Sequence, residues 1–127
     1  MSYTTFNSPA PDHGLTMAIA RELVSLIKDY LGRGPTKARA VIRDDVVVVI
    51  MQDTLTKAET TLASRGLSHT VHDIRRNFQE TMREDASAII ERLTGRRVIS
   101  FMSDHDVAND VASEVFVLEP DRAGEFR

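Results

Sequence analysis

Leu31-Gly32-Arg33-Gly34-Pro35-Thr36-Lys37 marks the point where a predicted helix ends and a predicted strand begins. Two glycines and a proline end a helix, because glycine readily adopts the positive φ of a helix C-terminus and proline cannot continue the helical hydrogen bonds. A similar junction, Leu93-Thr94-Gly95-Arg96-Arg97-Val98, follows later in the chain. The chain is therefore predicted to pass from helix to strand twice.

The residues before the first junction carry two apolar stripes at helical spacing. One stripe recurs every three or four residues through Leu15, Ile19, Leu23, Leu26 and Tyr30. The second stripe lies beside it and contains Ala20, Val24, Ile27 and Leu31. A helix with two apolar stripes packs against neighbours on both sides. We therefore expect this helix to be central in the fold or to lie at a subunit contact.

The residues after the first junction have the pattern of a β-hairpin. Residues 37–43 alternate between basic and apolar side chains, which indicates a strand with one solvent-exposed face. Asp44-Asp45 is a turn signal. Val46-Val47-Val48-Val49-Ile50 is a β-branched run typical of a strand buried on both faces. The two strands are expected to pair with each other.

Two helices and a second hairpin are predicted in the rest of the chain. Residues 53–66 form a short helix, because Thr56 and Glu59 have the spacing of a capping box. Residues 68–94 form a longer helix. Within it, we expect that Arg75 and Arg76 are not both buried. Its apolar stripe is expected to contain Val71, Ile74, Phe78, Met82, Ala86, Ile89 and Leu93. Strands at 97–103 and 113–118 are joined by a polar connection at 104–112 in this interpretation.

The predicted element order is α-ββ-α-α-ββ, which makes the chain an α+β protein. We expect an antiparallel four-stranded sheet, built from hairpins at residues 37–52 and 97–118, with the helices packed on one face. The predicted core contains Leu23, Leu26, Ile42, Val47, Val49, Phe78, Met82, Ile89, Phe101, Phe116 and Leu118. Residues 12–120 are expected to form a single domain between a flexible N-terminal arm (1–11) and a polar C-terminal tail (121–127).

Composition disfavours several classes of function. The chain has 127 residues, 42% of them hydrophobic, which is enough to bury a core. Its net charge of −3 gives no bulk attraction to nucleic acid or to anionic lipid. It has no cysteine, which excludes disulfides and is typical of a cytoplasmic protein. No apolar run approaches the roughly 20 residues that span a bilayer, so we expect no direct membrane insertion.

The two basic junctions supply the candidate ligand-binding residues. Arg33 and Lys37 follow the first helix, and Arg96 and Arg97 follow the long helix. If the two helix–hairpin units pack side by side, these four cations converge and suit a small anion or a nucleotide. The alternative is that they only complement the negative ends of two helix dipoles. A nucleotide P-loop is excluded, because that loop follows a strand and opens a helix.

The acidic and histidine-containing segments do not match catalytic or metal motifs. Residues 104–110 carry three aspartates and a histidine but lack the glycine and distal glutamate of an EF-hand. A polar hairpin connection explains them better. His69 and His72 lie three apart, whereas the helical zinc motif needs a spacing of four and a glutamate. We therefore expect no catalytic residue, no metal and no cofactor, and a protein that is not an enzyme.

Five spaced motifs run along about residues 15–120. They are Gly32-Arg33-Gly34-Pro35, Leu55-Thr56-x-x-Glu59, Val71-x-x-x-Arg75-x-x-Phe78, Glu91-x-x-x-Gly95-Arg96-x-Val98 and Glu114-Val115-Phe116-Val117-Leu118. In combination they resemble the MpsC-like domain family, a bacterial family formerly described as a domain of unknown function. Its name designates the C component of a Na⁺-translocating membrane-potential-generating system.

The resemblance implies a role beside a membrane-potential-generating and inorganic-carbon uptake system. It implies a non-enzymatic accessory or regulatory protein that acts through contacts with a membrane-protein partner, and it carries over no catalytic residue. No nucleic-acid partner is expected. The residues themselves predict a homodimer or higher homo-oligomer, because the first helix has surplus apolar surface and an open four-stranded sheet leaves two edges. The first helix or a sheet edge is the expected contact.

Overall fold

The computed structural model of the protein describes residues 13–120. The predicted arm at 1–11 and tail at 121–127 lie outside the described residues. The elements are α1 (His13–Leu31), β1 (Lys37–Arg43), β2 (Val46–Gln52), α2 (Lys57–Ser64), α3 (Ser68–Thr94), β3 (Val98–Asp106) and β4 (Val111–Leu118). The four strands form one antiparallel sheet in the order β1-β2-β4-β3. The predicted α+β class and element order are confirmed.

Glycines end both long helices, as the junction sequences predict. Gly32 follows α1 with φ 83°, and its amide donates to the Lys28 carbonyl at 2.8 Å. Gly95 caps α3 in the left-handed conformation, and its amide donates to the Glu91 carbonyl. These conformations are strained for residues that carry a Cβ. Each helix therefore stops where the chain must turn into the sheet.

The second hairpin is longer than the sequence pattern predicted. The polar connection expected at 104–112 is wrong, because β3 continues to Asp106 and β4 already begins at Val111. His105 pairs with Ala112 across the strands, and both residues are buried. Exposed side chains here alternate with buried ones, and the tight turn is confined to residues 107–110.

The chain contains two helix–hairpin units, which we call the first unit (residues 13–52) and the second unit (residues 68–118). Their inner strands, β2 and β4, pair antiparallel at the centre of the sheet, with Val49 opposite Glu114. Antiparallel inner strands relate the two units by an approximate two-fold rotation. Equivalent points of the two units therefore lie at opposite ends of the sheet.

The core lies between the sheet and the helix layer. α1 packs against both α3 and β1, so both of its apolar stripes have neighbours inside the protein. The predicted core residues are found there: Leu23, Val47, Val49, Met82, Phe101, Phe116 and Leu118 are buried, while Leu26, Ile42, Phe78 and Ile89 pack against them. On α3 the buried positions are Val71, Arg75, Gln79, Met82, Ala86 and Ile90. The predicted all-apolar stripe is thus partly wrong, since two polar residues occupy the buried face.

Candidate functional site

Residues 53–56, which connect β2 to α2, are the point on which several buried polar side chains converge. Asp53 turns the chain sharply with φ 58°, and its amide donates to the Asp110 carbonyl at 3.1 Å. Thr54 and Leu55 are then almost completely buried, at 1% and 6% exposure. A buried connection must find partners for its peptide groups within the protein. Side chains from three other parts of the chain supply them.

The first of these parts is α3, through a buried ion pair between Arg75 and Glu59. Arg75 Nε lies 2.7 Å from Glu59 Oε2, and Arg75 Nη2 lies 2.8 Å from Glu59 Oε1. Nη2 also donates to the Thr54 carbonyl at 2.6 Å. Burial opposes ionisation of Glu59, but the hydrogen bonds from Arg75 and from the Thr56 amide outweigh it and lower the pKa of Glu59. The fork geometry satisfies both carboxylate oxygens.

The same glutamate completes the capping box that the sequence predicts. Thr56 is the N-cap of α2, and its hydroxyl accepts from the Glu59 amide at 3.2 Å. Glu59 Oε1 accepts in return from the Thr56 amide at 2.8 Å. Glu59 therefore both starts α2 and neutralises Arg75. One residue thereby couples the entry of α2 to the buried face of α3.

The second part is the turn of the β3–β4 hairpin, through Asp110. Its Oδ1 accepts from the Thr54 amide and hydroxyl, both at 3.1 Å, and its Oδ2 accepts from the Leu55 amide at 3.0 Å. Burial favours the neutral acid, but the Leu55 and Thr54 amides outweigh burial and lower the pKa of Asp110. Asp110 adopts φ 50°, a conformation that aspartate and asparagine tolerate better than most residues.

His105 completes this arrangement from β3. Its side chain is 1% exposed, and Nε2 lies 2.9 Å from Asp110 Oδ1. Burial lowers the pKa of His105, and its contact with Asp110 opposes that effect. A neutral imidazole that donates from Nε2 to the carboxylate leaves Nδ1 as an acceptor. Nδ1 is buried and has no hydrogen-bond partner within residues 13–120.

The third part is the junction after α1, through Arg33. Its Nη1 donates to the Leu55 carbonyl at 2.6 Å, and its Nη2 donates to the Asp53 carbonyl at 3.1 Å. Nη2 also lies 3.4 Å from Asp53 Oδ2. A residue predicted to bind a ligand is thus engaged in holding the 53–56 segment. The segment is thus held by Arg75, Asp110 and Arg33 from three distant parts of the chain, in addition to Glu59 of the adjoining α2.

A separate buried acid, Glu114, lies in the middle of β4 on the face that the helices cover. It is 7% exposed and lines a small cavity, together with Leu23, Leu26, Ile27, Gln79, Met82, Ala86 and Phe101. Burial raises the pKa of Glu114 to about 7, and the neighbouring Ser103 hydroxyl lowers it only in part. Neither Glu114 Oε2 nor Ser103 Oγ meets hydrogen-bond geometry with any group in the described part of the chain. Glu114 can therefore take up or release a proton near neutral pH.

The four predicted anion-binding cations do not converge. Lys37 begins β1 beside Gln52, whereas Arg96 and Arg97 precede β3, next to the Asp44–Asp45 turn at the other end of β1. Seven residues of strand put these ends about 20 Å apart. The prediction of a single four-cation cluster is therefore wrong. The physical reason is the two-fold relation between the two units, since side-by-side packing at the same end would need parallel inner strands.

Each junction instead contains one cation that is used inside the protein and one that is exposed. Arg96 donates to the Glu119 carbonyl from Nε and Nη2 and to the Asp44 carbonyl from Nη1, at 2.8 to 3.2 Å. Arg33 is engaged in the same way at the opposite end. Lys37 and Arg97 are exposed. Arg33 and Arg96 therefore each connect the end of a long helix to backbone carbonyls of segments that border the sheet.

Sequence reasoning missed Arg75, His105, Asp110 and Glu114 as members of buried polar contacts. The expectation that Arg75 and Arg76 are not both buried is confirmed, since Arg75 is 5% exposed and Arg76 is exposed. A signal for Glu114 was present in β4, because Ala112, Phe116 and Leu118 on the same alternating face are all buried. The buried contacts of Arg75, His105 and Asp110 depend on which elements pack together in the tertiary structure.

Within residues 13–120, no three His, Cys, Asp or Glu side chains are grouped so that they would hold a metal ion. None of the helices in that range is long and apolar enough to cross a membrane.

The fold and site define a small α+β domain with two helix–hairpin units, whose buried polar residues fasten an internal connecting segment. The chain belongs to the MpsC family, described as the Na⁺-translocating membrane potential-generating system, and residues 12–120 match it. It is similar to the uncharacterized protein YbcI of Bacillus subtilis (strain 168), with 31% identity over 87 residues, 68% of this chain and 70% of YbcI. No solved structure gives a significant match.

Proposed function

We propose that this protein is a non-enzymatic accessory or regulatory protein of a membrane-potential-generating system linked to inorganic-carbon uptake, and that it acts through protein–protein contacts. The observation that carries the proposal is the match to the MpsC family over residues 12–120, because the family description names a Na⁺-translocating membrane potential-generating system. The match extends over all of the described residues, 13–120, rather than over one motif. The role is therefore assigned to the domain as a unit.

The use of the buried polar residues supports a structural assignment for them. Arg75 binds Glu59 and the Thr54 carbonyl, and Asp110 accepts from two amides, a hydroxyl and His105. Acids and bases that are saturated by such contacts are costly to move during a reaction. In this proposal they maintain the shape of the surface that a partner binds.

The physiological test is deletion of the gene in the native bacterium. We expect the deletion strain to have a lower membrane potential, measured with a ratiometric potential-sensitive dye, and to grow poorly at low bicarbonate. Wild-type protein should restore both properties, and added bicarbonate should restore growth alone. An unchanged potential and unchanged growth in the deletion strain would exclude this role.

The contact itself is tested by site-specific photo-crosslinking in intact cells. A photoreactive residue is placed at Met17 on α1 or at Met102 on β3, which are 54% and 53% exposed. We expect one of these positions to form an adduct with a membrane protein of the same system. Adducts with no membrane protein from either position, in cells where the chain complements the deletion, would contradict action through direct contact.

The alternative function, sensing of a small anion or nucleotide at the Gly-Arg junctions, is a proposal for each junction separately. Arg33 with Lys37 and Arg96 with Arg97 lie at opposite ends of the sheet, so each pair would bind independently. A thermal-shift screen of bicarbonate, phosphate and nucleotides at low salt tests this, with Arg33→Ala and Arg96→Ala compared singly with wild type. Binding at a junction raises the midpoint in wild type and in the variant of the other junction. Equal shifts in all three proteins would contradict binding at either one.

A further inference from the structure

The face of the sheet opposite the helices carries an apolar band across all four strands. Val41, Val48, Val115 and Met102 are successive cross-strand neighbours on this face. Val41 is 56% exposed and Met102 is 53% exposed. Ile99, at the irregularity between Val98 and Ser100, is 58% exposed. We call this surface the open face.

Contiguous apolar side chains of this kind mark an interaction surface, whereas single ones do not. The large hydrophobic residues that remain exposed within residues 13–120 are Met17, Val41, Leu67, Ile99 and Met102. Three of them belong to the open face. The helix layer, in contrast, has placed both apolar stripes of α1 against α3 and β1.

The charged residues of the open face are separated by sign. Lys37 and Arg39 lie on the edge strand β1, and Asp104 and Asp106 lie on the other edge strand, β3. The register connects Arg39 through Ile50 and Ser113 to Asp104 in one row across the sheet. Both charged pairs are therefore at the same end of the sheet and at opposite edges.

We propose that the open face packs against the open face of a second copy of this chain, about a two-fold axis that runs parallel to the strands. Such an axis exchanges the two edges of the sheet but keeps each end in place. β1 of one protomer then lies over β3 of its partner, so Arg39 faces Asp104 of the partner subunit, and the reverse contact is identical. The apolar band meets itself at the centre.

An axis at right angles to the strands does not give this match. It would place β1 over β1 and exchange the two ends of the sheet, so the basic edge strand would meet a basic edge strand and the acidic pair on β3 would meet no basic residue. Like charges in such positions oppose association. The distribution of charge therefore selects a second copy as the occupant and selects one orientation of that copy.

The size of the open face predicts a dissociable dimer. Four strands spaced about 4.8 Å apart and seven residues long give a face of about 19 by 23 Å, on the order of 400 Å² per protomer. That is at the small end of specific interfaces, where association is weak or transient. We expect monomer and dimer to exchange at roughly 10–100 µM protein, measured by sedimentation velocity against the monomer mass of 14.2 kDa.

A matched pair of methionine variants tests the location of the contact. Met102→Glu places a charge at the edge of the apolar band, and we expect it to raise the dimer dissociation constant by about tenfold or more. Met17→Glu changes the equally exposed methionine of α1 and should leave the dimer unchanged. A wild-type protein that stays monomeric, or a dimer disrupted by Met17→Glu and not by Met102→Glu, overturns the proposal.

A mixing experiment tests the axis. Arg39→Glu alone and Asp104→Arg alone each create two like-charge contacts in a homodimer, so both variants should dissociate more readily than wild type. Mixed in equal amounts they form opposite-charge contacts at both positions, and we expect the dimer to return. Circular dichroism confirms that each variant is folded, since Asp104 also contacts His72. Failure of the folded mixture to dimerise more strongly than its components excludes this axis.

Discussion

The two helix–hairpin units share one architecture and differ in what they bury. Within the described residues, the first unit buries apolar side chains alone, among them Ile19, Leu23 and Val49. The second unit buries Arg75, Gln79, His105 and Glu114 beside its apolar residues, and the residues between the units add Thr54 and Glu59. Apolar packing tolerates many equivalent arrangements, while hydrogen-bonded ionic contacts tolerate few. The second unit therefore supplies the buried ionic contacts that restrict the connection between the units, and Arg33 of the first unit adds hydrogen bonds to the same segment.

The largest expected effect comes from removing the arginine of the buried ion pair. Arg75→Ala leaves Glu59 as a buried, unpaired carboxylate and leaves the Thr54 carbonyl without its donor, so we expect a loss of about 3–5 kcal/mol in unfolding free energy. Arg76→Ala, at the exposed neighbouring position, should change it by less than about 0.5 kcal/mol. Urea denaturation measures both. Similar small losses of unfolding free energy in the two variants would show that the buried polar contact of the second unit is no more important than an exposed residue.

If Arg75→Ala does not fold, an apolar replacement of the pair remains informative. Glu59→Leu with Arg75→Met removes both charges at once, and such replacements of buried ion pairs are often neutral or stabilising. We expect the double variant to be more stable than Arg75→Ala. A double variant that is no more stable would show that the loss arises from packing and not from the unpaired charge.

The second prediction concerns Glu114, which lies opposite the apolar Val49 at the centre of the sheet. Its pKa is raised from the ordinary value of 4.5 to about 7 in the folded protein. As pH rises, Glu114 therefore loses its proton at lower pH in the unfolded chain than in the folded protein. The stability that protonated Glu114 contributes is complete below pH 4.5 and is lost as pH rises to about 7. Relative to Glu114→Gln, wild type should lose up to about 3 kcal/mol across that range.

Urea denaturation at a series of pH values measures this difference. Exposed Glu84→Gln controls for the removal of one negative charge, and its curve should run parallel to that of wild type. If the Glu114→Gln and wild-type curves run parallel from pH 4 to pH 8, Glu114 ionises in the folded protein as it does in the unfolded chain. Its burial would then have no electrostatic consequence.

The third prediction compares the turns of the two hairpins. Asp44 and Asp110 have similar left-handed conformations, with φ 52° and 50°, but Asp110 also binds the amides of Thr54 and Leu55. Asp110→Asn keeps the backbone preference and replaces an ionised acceptor, so we expect a loss of about 2 kcal/mol. Asp44→Asn should cost much less. Faster hydrogen exchange at Thr54 and Leu55 in Asp110→Asn alone would locate the effect, and equal costs at the two turns would contradict it.

The smallest effect concerns the arginines of the two junctions. Arg33→Ala and Arg96→Ala each remove hydrogen bonds to backbone carbonyls, and we expect each to cost about 1 kcal/mol. Because the junctions lie at opposite ends of the sheet, the double variant should equal the sum within about 0.5 kcal/mol. A larger coupling energy in this double-mutant cycle would mean that the two ends communicate.

Local signals were sufficient for the order and type of the elements. Helical spacing in α1, the β-branched run of β2, the glycines at 32 and 95, and the capping box of Thr56 and Glu59 each act within a few residues. Such signals are carried by neighbouring side chains and backbone conformations, so they can be read without knowing the rest of the fold. The predicted core and the α+β class followed from them.

Contacts between distant segments were decided by the tertiary structure. On α3 it is Ile90 and not Ile89 that is fully buried, on the same face as Arg75, whose partner Glu59 lies in another helix. The separation of the two basic junctions depends on the antiparallel pairing of β2 with β4. The sequence of neither strand by itself determines that pairing. Burial of a polar group becomes favourable when its partner arrives from elsewhere in the chain, so the periodicity of a single element does not contain that information.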